Sequence, residues 1–243
     1  MSIASEITRL QGVKTNILNA IAAKGVSVPS GAKLADCPDL ISLIGGREGT
    51  VTIGGRNYKT VIIGGITWLA ENLDYKFSGC GIGGSGLPST PNAWYYNNDE
   101  ATYGIDGIRK CGLLYNWYAV KLLNDNRSEL MPGWHVPTNE EWTELAYVVG
   151  GMENAGTKLK ALDGLADGSW PIGWNGSDDY KFGVLPAGGY YDGFNSVGSI
   201  ASFWTITGGD FPAYIRCNES APLIQDNGLK DGGYSVRLVK DSA

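Results

Sequence analysis

Histidine is almost missing from this chain: His135 stands alone among 243 residues, and the four cysteines, at positions 37, 80, 111 and 217, include no CxxC pair. A structural zinc site therefore has no ready ligand set. Basic residues are also in deficit, with 19 Lys and Arg against 25 Asp and Glu and a net charge of −6, so the clustered positive surface that nucleic acid requires is not expected. No apolar run approaches the roughly 18 residues of a membrane span. Met1-Ser2-Ile3-Ala4-Ser5-Glu6 lacks the basic stretch, apolar core and cleavage site of a secretory signal, and none is read there. The expectation is no metal, no cofactor, no nucleic-acid partner and no membrane insertion. Cys80 and Cys111 either join in a disulfide in an oxidising compartment or remain reduced and buried, and residue habit favours the second.

What the chain does hold is glycine and aromatics. Thirty-six glycines, ten prolines, thirteen tyrosines and eight tryptophans describe a fold rich in turns and short segments, with aromatic anchors in place of long aliphatic helices. The aromatics are interleaved throughout, which separates the composition from low-complexity disorder.

Ile3, Ile7, Leu10, Ile17 and Ile21 recur at alternating spacings of four and three, with Lys14 at the one polar position. This predicts a helix over 2–25, either a coiled-coil seam of about three heptads or an amphipathic helix packed on its own domain. A second short helix is expected from Leu34 to Ile44, ended by Gly45-Gly46. The front segment, with Ala23-Lys24-Gly25-Val26, Pro29, Gly31 and Leu34, resembles short modules near the start of many phage tail and fibre proteins. That resemblance implies attachment to something larger, and it sets a division into a helical segment, 1–48, and a domain, 49–243.

From Gly49 the pattern turns to strands. Thr50–Ile53, Asn57–Ile63 and Ile66–Leu69 are separated by Gly54-Gly55 and Gly64-Gly65 at hairpin spacing. A helix is expected to follow Cys111 and end near Asn124. The most constrained stretch is Pro132 to Trp142. Thr138 and Glu141 form a capping box, Trp142, Leu145, Ala146 and Val149 share one helix face, and Gly150-Gly151 supplies the stop. The last third, from Gly164, has no convincing long helix. Gly233 to Val239 alternates and reads as a strand returning to the sheet.

Six stretches occur in an order that marks one family: Ile66-Thr67-Trp68-Leu69-Ala70-Glu71-Asn72-Leu73, Gly112-Leu113-Leu114-Tyr115-Asn116-Trp117, Gly133 to Trp142, Leu185-Pro186-Ala187-Gly188, Phe203-Trp204-Thr205 and Gly233 to Arg237. Over residues 50–241 the chain resembles the Fibrobacter succinogenes major paralogous domain, which is similar in turn to the C-type-lectin-like fold of formylglycine-generating enzymes and retroelement-diversified variable proteins. The resemblance implies an α+β architecture, with two helices flanking small twisted antiparallel sheets and long loops presenting one face.

Candidate chemistry is thin. His135, in an extended segment beside the capped helix, is expected to be buried and hydrogen-bonded, and Glu140, Glu141 and Glu144 suit a helix start. The formylglycine-generating relatives use paired cysteines to bind copper, and the C-terminal half here carries only Cys217. The signature tripeptides of calcium-dependent lectins are absent, and Asp178-Asp179 and Asp226-Asn227 read as turn formers. Recognition asks for less. The residues singled out for ligand binding are Tyr190, Tyr191, Asp192, Phe194, Asn195, Asp210, Tyr214 and Asn218, the tyrosine, asparagine and aspartate repertoire of adaptable loops. Phe203 and Trp204 are expected in the core.

The reading is a non-enzymatic ligand-recognition protein that binds a bacterial surface protein or glycan through C-terminal loops. It is taken as a phage or prophage tail receptor-binding component, a homo-oligomer with a trimer favoured, and a candidate diversity-generating retroelement variable protein. It would work on a virion tail or at a cell surface. The alternatives are a Bacteroidetes cell-surface adhesin and a formylglycine-generating-like oxidase.

Overall fold

The computed structural model describes residues 3–23, 28–37, 45–84, 89–162, 170–174, 176–207, 213–217 and 224–242. Helix α1 (Ile3–Ala23) follows the predicted seam, but the seam is split. Ile21 is buried and Ile17 half-buried in a small cluster with Ala32 and Cys37 of the same chain, whereas Ile3, Ile7 and Leu10 are exposed. The second helix begins only as a 3-10 turn, Leu34–Asp36, in which Asp36 Oδ2 accepts from the Lys33 N–H at 2.7 Å. The rest of that prediction, 38–44, lies outside the described residues.

A five-stranded sheet then takes shape from β1 (Gly45–Ile53), β2 (Arg56–Ile63) and β3 (Ile66–Leu69), joined at the predicted glycine turns. The glycine pair at 45–46 opens β1, five residues ahead of the start expected at Thr50. Short strands follow: β4 (Gly81–Ile82), β5 (Asn92–Trp94) and β6 (Leu114–Tyr115) form a second sheet. β7 (Trp134–His135) joins the first sheet beyond β13 (Val239–Lys240), giving the order β1-β2-β3-β13-β7. β8 (Gly189–Tyr190) and β9 (Phe194–Asn195) make a hairpin, and β10 (Ala201–Trp204), β11 (Ala213–Cys217) and β12 (Ile224–Asn227) an antiparallel three-stranded sheet.

The class is α+β, with more helix than the two expected in the domain. Besides the single turns α2 (Glu100–Tyr103) and α4 (Arg127–Leu130), it holds α3 (Trp117–Asp125), α5 (Asn139–Val148) and α6 (Met152–Leu159). Helix α6 is a gain over the sequence reading: Gly150 and Gly151 stop α5 with positive φ, and Gly151 then serves as the N-cap of the next helix. The capping box forms as predicted, with Thr138 Oγ1 accepting from the Glu141 N–H at 3.2 Å and Glu141 Oε2 accepting from the Thr138 N–H at 2.8 Å.

The two largest cores of the domain adjoin one another. One gathers Tyr58, Tyr115, Trp117, Trp204 and Leu238; the other gathers Trp68, Trp142, Trp170, Phe182 and Phe203. Phe203 and Trp204 are thus core residues, as expected. The C-terminal segment threads between the two cores. Only Val239–Lys240 forms a strand, because 233–238 pairs irregularly, with the Leu238 and Val236 carbonyls accepting from Leu69 and Leu73 at 2.9 and 2.8 Å. Among the described residues no helix is long and apolar enough to cross a membrane.

Candidate functional site

The tyrosine-rich stretch from 188 to 195 folds as the β8–β9 hairpin, with Gly189 opposite Asn195 and Tyr190 opposite Phe194. Its tip, Tyr191-Asp192-Gly193, needs left-handed backbone: φ is +50° at Asp192 and +121° at Gly193. At its base Gly188 has φ +70°, and a Cβ there would collide with the Asn195 carbonyl oxygen, so the turn closes only on glycine.

The hairpin rests on aromatics. The Tyr190 ring stacks on Trp94 with centroids 4.4 Å apart, and Phe194 meets Tyr190 at 5.0 Å and Tyr96 at 5.2 Å. Backbone bonds between Tyr190 and Gly233, at 2.8 and 2.9 Å, pin the base to the C-terminal segment. The eight predicted residues therefore separate by role. Tyr190 and Phe194 are half-buried anchors, while Tyr191, at 57% exposure, Asp192 and Asn195 face solvent. Tyr214 lies in β11 opposite Trp204, and the far end of that strand is linked to the hairpin base through Ala201, which pairs with both Cys217 and Gly188. Asp210 and Asn218 lie outside the described residues.

His135 forms a separate polar cluster. Its Nδ1 is 2.6 Å from Asp241 Oδ1 and its Nε2 2.9 Å from Glu141 Oε1. The Glu141 hydrogen bond, helped by Asp241 and opposed by burial, holds the imidazole above its ordinary pKa. The two carboxylates sit at opposite ring nitrogens, so they clamp the ring and are not placed to share an ion with it. The cluster ties the helix cap to the end of the chain.

Cys80 and Cys111 are not joined in this structure; Cys111 is buried and Cys80 half-buried. An oxidase would require an activated thiolate. Cys217 is 2% exposed, and burial pushes its thiol up to about 12.

Sequence reasoning missed two buried cations. Lys160 is fully buried, donates to the Trp174 carbonyl and lies over the Trp170 ring at 5.1 Å. Arg237 is 1% exposed and lies 4.8 Å from the Phe182 ring centroid. A signal for Arg237 existed: Ser235 and Val239 share its face of the alternating segment and Val236 and Leu238 the other, so both faces are poor in charge.

Compared with known proteins, residues 61–240 match the model of the Fibrobacter succinogenes major domain, the family whose six motifs are described above. No curated protein and no solved structure matches the chain.

Proposed function

Because the chain belongs to the Fibrobacter succinogenes major domain family, we propose that it is a ligand-recognition protein whose C-type-lectin-like domain binds a bacterial surface protein or glycan through its C-terminal loops. The observation that carries this reading is the β8–β9 hairpin, in which a stack of Trp94, Tyr190, Phe194 and Tyr96 fixes the base while Tyr191, Asp192 and Asn195 stay exposed at the tip. A loop ordered before binding loses less entropy on contact, and tyrosine offers a large surface with few rotatable bonds. Helices α3 and α5, short antiparallel sheets and long connecting loops are compatible with a lectin-like scaffold.

In this proposal the protein is a phage or prophage tail receptor-binding component. The segment 1–48 attaches it and brings copies together as a trimer through the exposed Ile3, Ile7 and Leu10 of α1, and the tip residues are the positions a diversity-generating retroelement would vary. A Bacteroidetes surface adhesin would use the same face. The test is capture by the full-length protein on intact Bacteroidetes cells and on a glycan array, comparing wild type with a Tyr191→Ala/Asp192→Ala variant. Capture lost in the variant supports the reading; equal capture by both proteins overturns it.

A further inference from the structure

A concavity lies where the β1–β2 turn, residues 74–76 and residues 100–107 meet, apart from the β8–β9 hairpin. It has a volume of about 430 Å³ and no hairpin residue among its lining, within the range of about 300–1,000 Å³ usual for small-molecule sites. Gly54, at φ +59°, makes room for one wall, since a Cβ there would collide with the Tyr75 ring.

Five charged side chains line this cleft, and each already has a partner. Arg56 forks onto Asp106 at 2.6 and 2.7 Å, and Lys76 Nζ lies 2.7 and 2.8 Å from the two oxygens of Glu100. Asp74 accepts from the Tyr95 hydroxyl at 2.6 Å and from the Ile105 N–H at 2.8 Å. The Arg56–Asp106 and Lys76–Glu100 pairs offset one another's field, and Asp74, held by two neutral donors, leaves one excess negative charge that disfavours an anion.

Hydrogen-bonding capacity nevertheless remains at the cleft surface. The side chains of Glu100 and Asp106 are 60% and 85% exposed, and a carboxylate has about four lone-pair directions. Lys76, 46% exposed, keeps a third ammonium proton beyond its two contacts with Glu100. Tyr75 is half-buried, and its hydroxyl makes no hydrogen bond among the described residues. Planar acceptors, an ammonium donor and an aromatic ring side by side suit a molecule carrying adjacent hydroxyls and an apolar C–H face.

We propose that this cleft binds a neutral polyhydroxylated ligand, one pyranose unit, whose hydroxyls bridge Glu100, Asp106 and Lys76 while a C–H face lies on Tyr75. The site is distinct from the hairpin and holds or fails independently of the function proposed for it.

The test is backbone-amide NMR of the full-length protein titrated into the millimolar range with the methyl glycosides of glucose, galactose and mannose. At least one should give saturable shifts in 74–76 and 100–107. Ala101→Trp, which fills the mouth from an exposed helical position, and Tyr75→Ala should each weaken those shifts at least tenfold, and Tyr191→Ala should leave them unchanged. The proposal is overturned if none of the three sugars perturbs these amides. It is equally overturned if glutamate, lysine or inorganic phosphate perturbs them and the sugars do not, or if the sugar shifts fall only in 189–195. The Ala101→Trp variant alters no buried side chain, so it keeps the test decisive if Tyr75→Ala fails to fold.

Discussion

Arg237 Nε donates to Asn72 Oδ1 at 2.8 Å across 165 residues of sequence, in a site closed to water. The same guanidinium donates through Nη1 to the Leu69 and Phe182 carbonyls at 3.0 and 2.8 Å, and through Nη2 to the Gly183 carbonyl at 3.0 Å. Burial pulls its pKa down to about 9, which still leaves it cationic at neutral pH. One side chain thus joins the end of β3, the loop at 182–183 and the C-terminal segment. Lysine lacks the planar fork needed to serve these acceptors together. Arg237→Lys is expected to cost about 2 kcal/mol and Arg237→Met more, since each buried acceptor left alone costs about 1–3 kcal/mol. Urea denaturation checks this, and a cost under half that figure for Arg237→Met would mean the acceptors find other donors.

The capping box at Thr138 and Glu141 gives a smaller, separable effect. Thr138→Ala removes the acceptor for the Glu141 N–H and should destabilise the fold by about 1 kcal/mol. Glu141→Gln keeps an oxygen for the Thr138 N–H but loses the charge facing His135. Comparing the two in denaturation at several pH values above the range in which Glu141 titrates separates cap from ion pair: there the Thr138→Ala deficit should be flat with pH, and the Glu141→Gln deficit should grow as His135 is protonated.

The pH dependence of that ion pair has a definite sign. His135 binds its proton more tightly in the folded protein, through Glu141 first and Asp241 second. Its contribution is therefore fully present below the ordinary histidine value of 6.5 and is lost as pH rises through the higher folded value. For Glu141 burial pushes the pKa up, but the hydrogen bonds from His135 and Thr138 outweigh it and the net shift is downward, so its contribution is lost as pH falls below 4.5 and through the folded value. Thermal unfolding should show wild type ahead of His135→Asn by about 1–2 kcal/mol near the acid side of neutrality, as befits charge-assisted bonds, with the gap narrowing under alkaline conditions. A gap that widens with alkalinity would contradict the pairing.

How far the sequence could be read depended on how local the determining interaction was. The Thr138–Glu141 cap and the glycine turns at 54–55 and 64–65 are settled within four residues, and they came through intact. Helix α6 did not, because a Gly-Gly pair reads as a stop, and only the packing of Ala155 and Leu159 into the core shows that a helix resumes after it. The burial of Arg237 and Lys160 depends on carbonyls at 69, 174, 182 and 183, which no local pattern assembles. At the hairpin, composition marked the right segment and could not divide it, since Tyr190 and Tyr191 are identical until one of them finds Trp94.

That division yields a clean contrast between neighbours. Tyr190→Ala removes a ring stacked on Trp94 and should destabilise the protein by about 1–3 kcal/mol, the cost of losing a packed aromatic in a half-buried site. Tyr191→Ala, on an exposed side chain, should change stability by under about 0.5 kcal/mol while abolishing ligand capture. Melting temperature and cell capture measured on both variants check the contrast; a stable Tyr190→Ala would show that the stack does not hold the hairpin.

The split seam of α1 bears on assembly. Ile17 and Ile21 are engaged by Ala32 and Cys37 of their own chain, so a partner helix can reach only the front of the seam. There Ile3, Ile7 and Leu10 are 82%, 51% and 44% exposed, and large apolar side chains aligned on one face associate readily when a second helix covers them. A trimer through this front half is the expected state of the full-length protein in light scattering. Ile7→Asp together with Leu10→Asp would bury charge at the seam and should give a monomer whose domain unfolds at an unchanged temperature, because neither residue packs against that domain's core. A wild-type monomer, or a trimer that survives both substitutions, would rule out α1 as the assembly element.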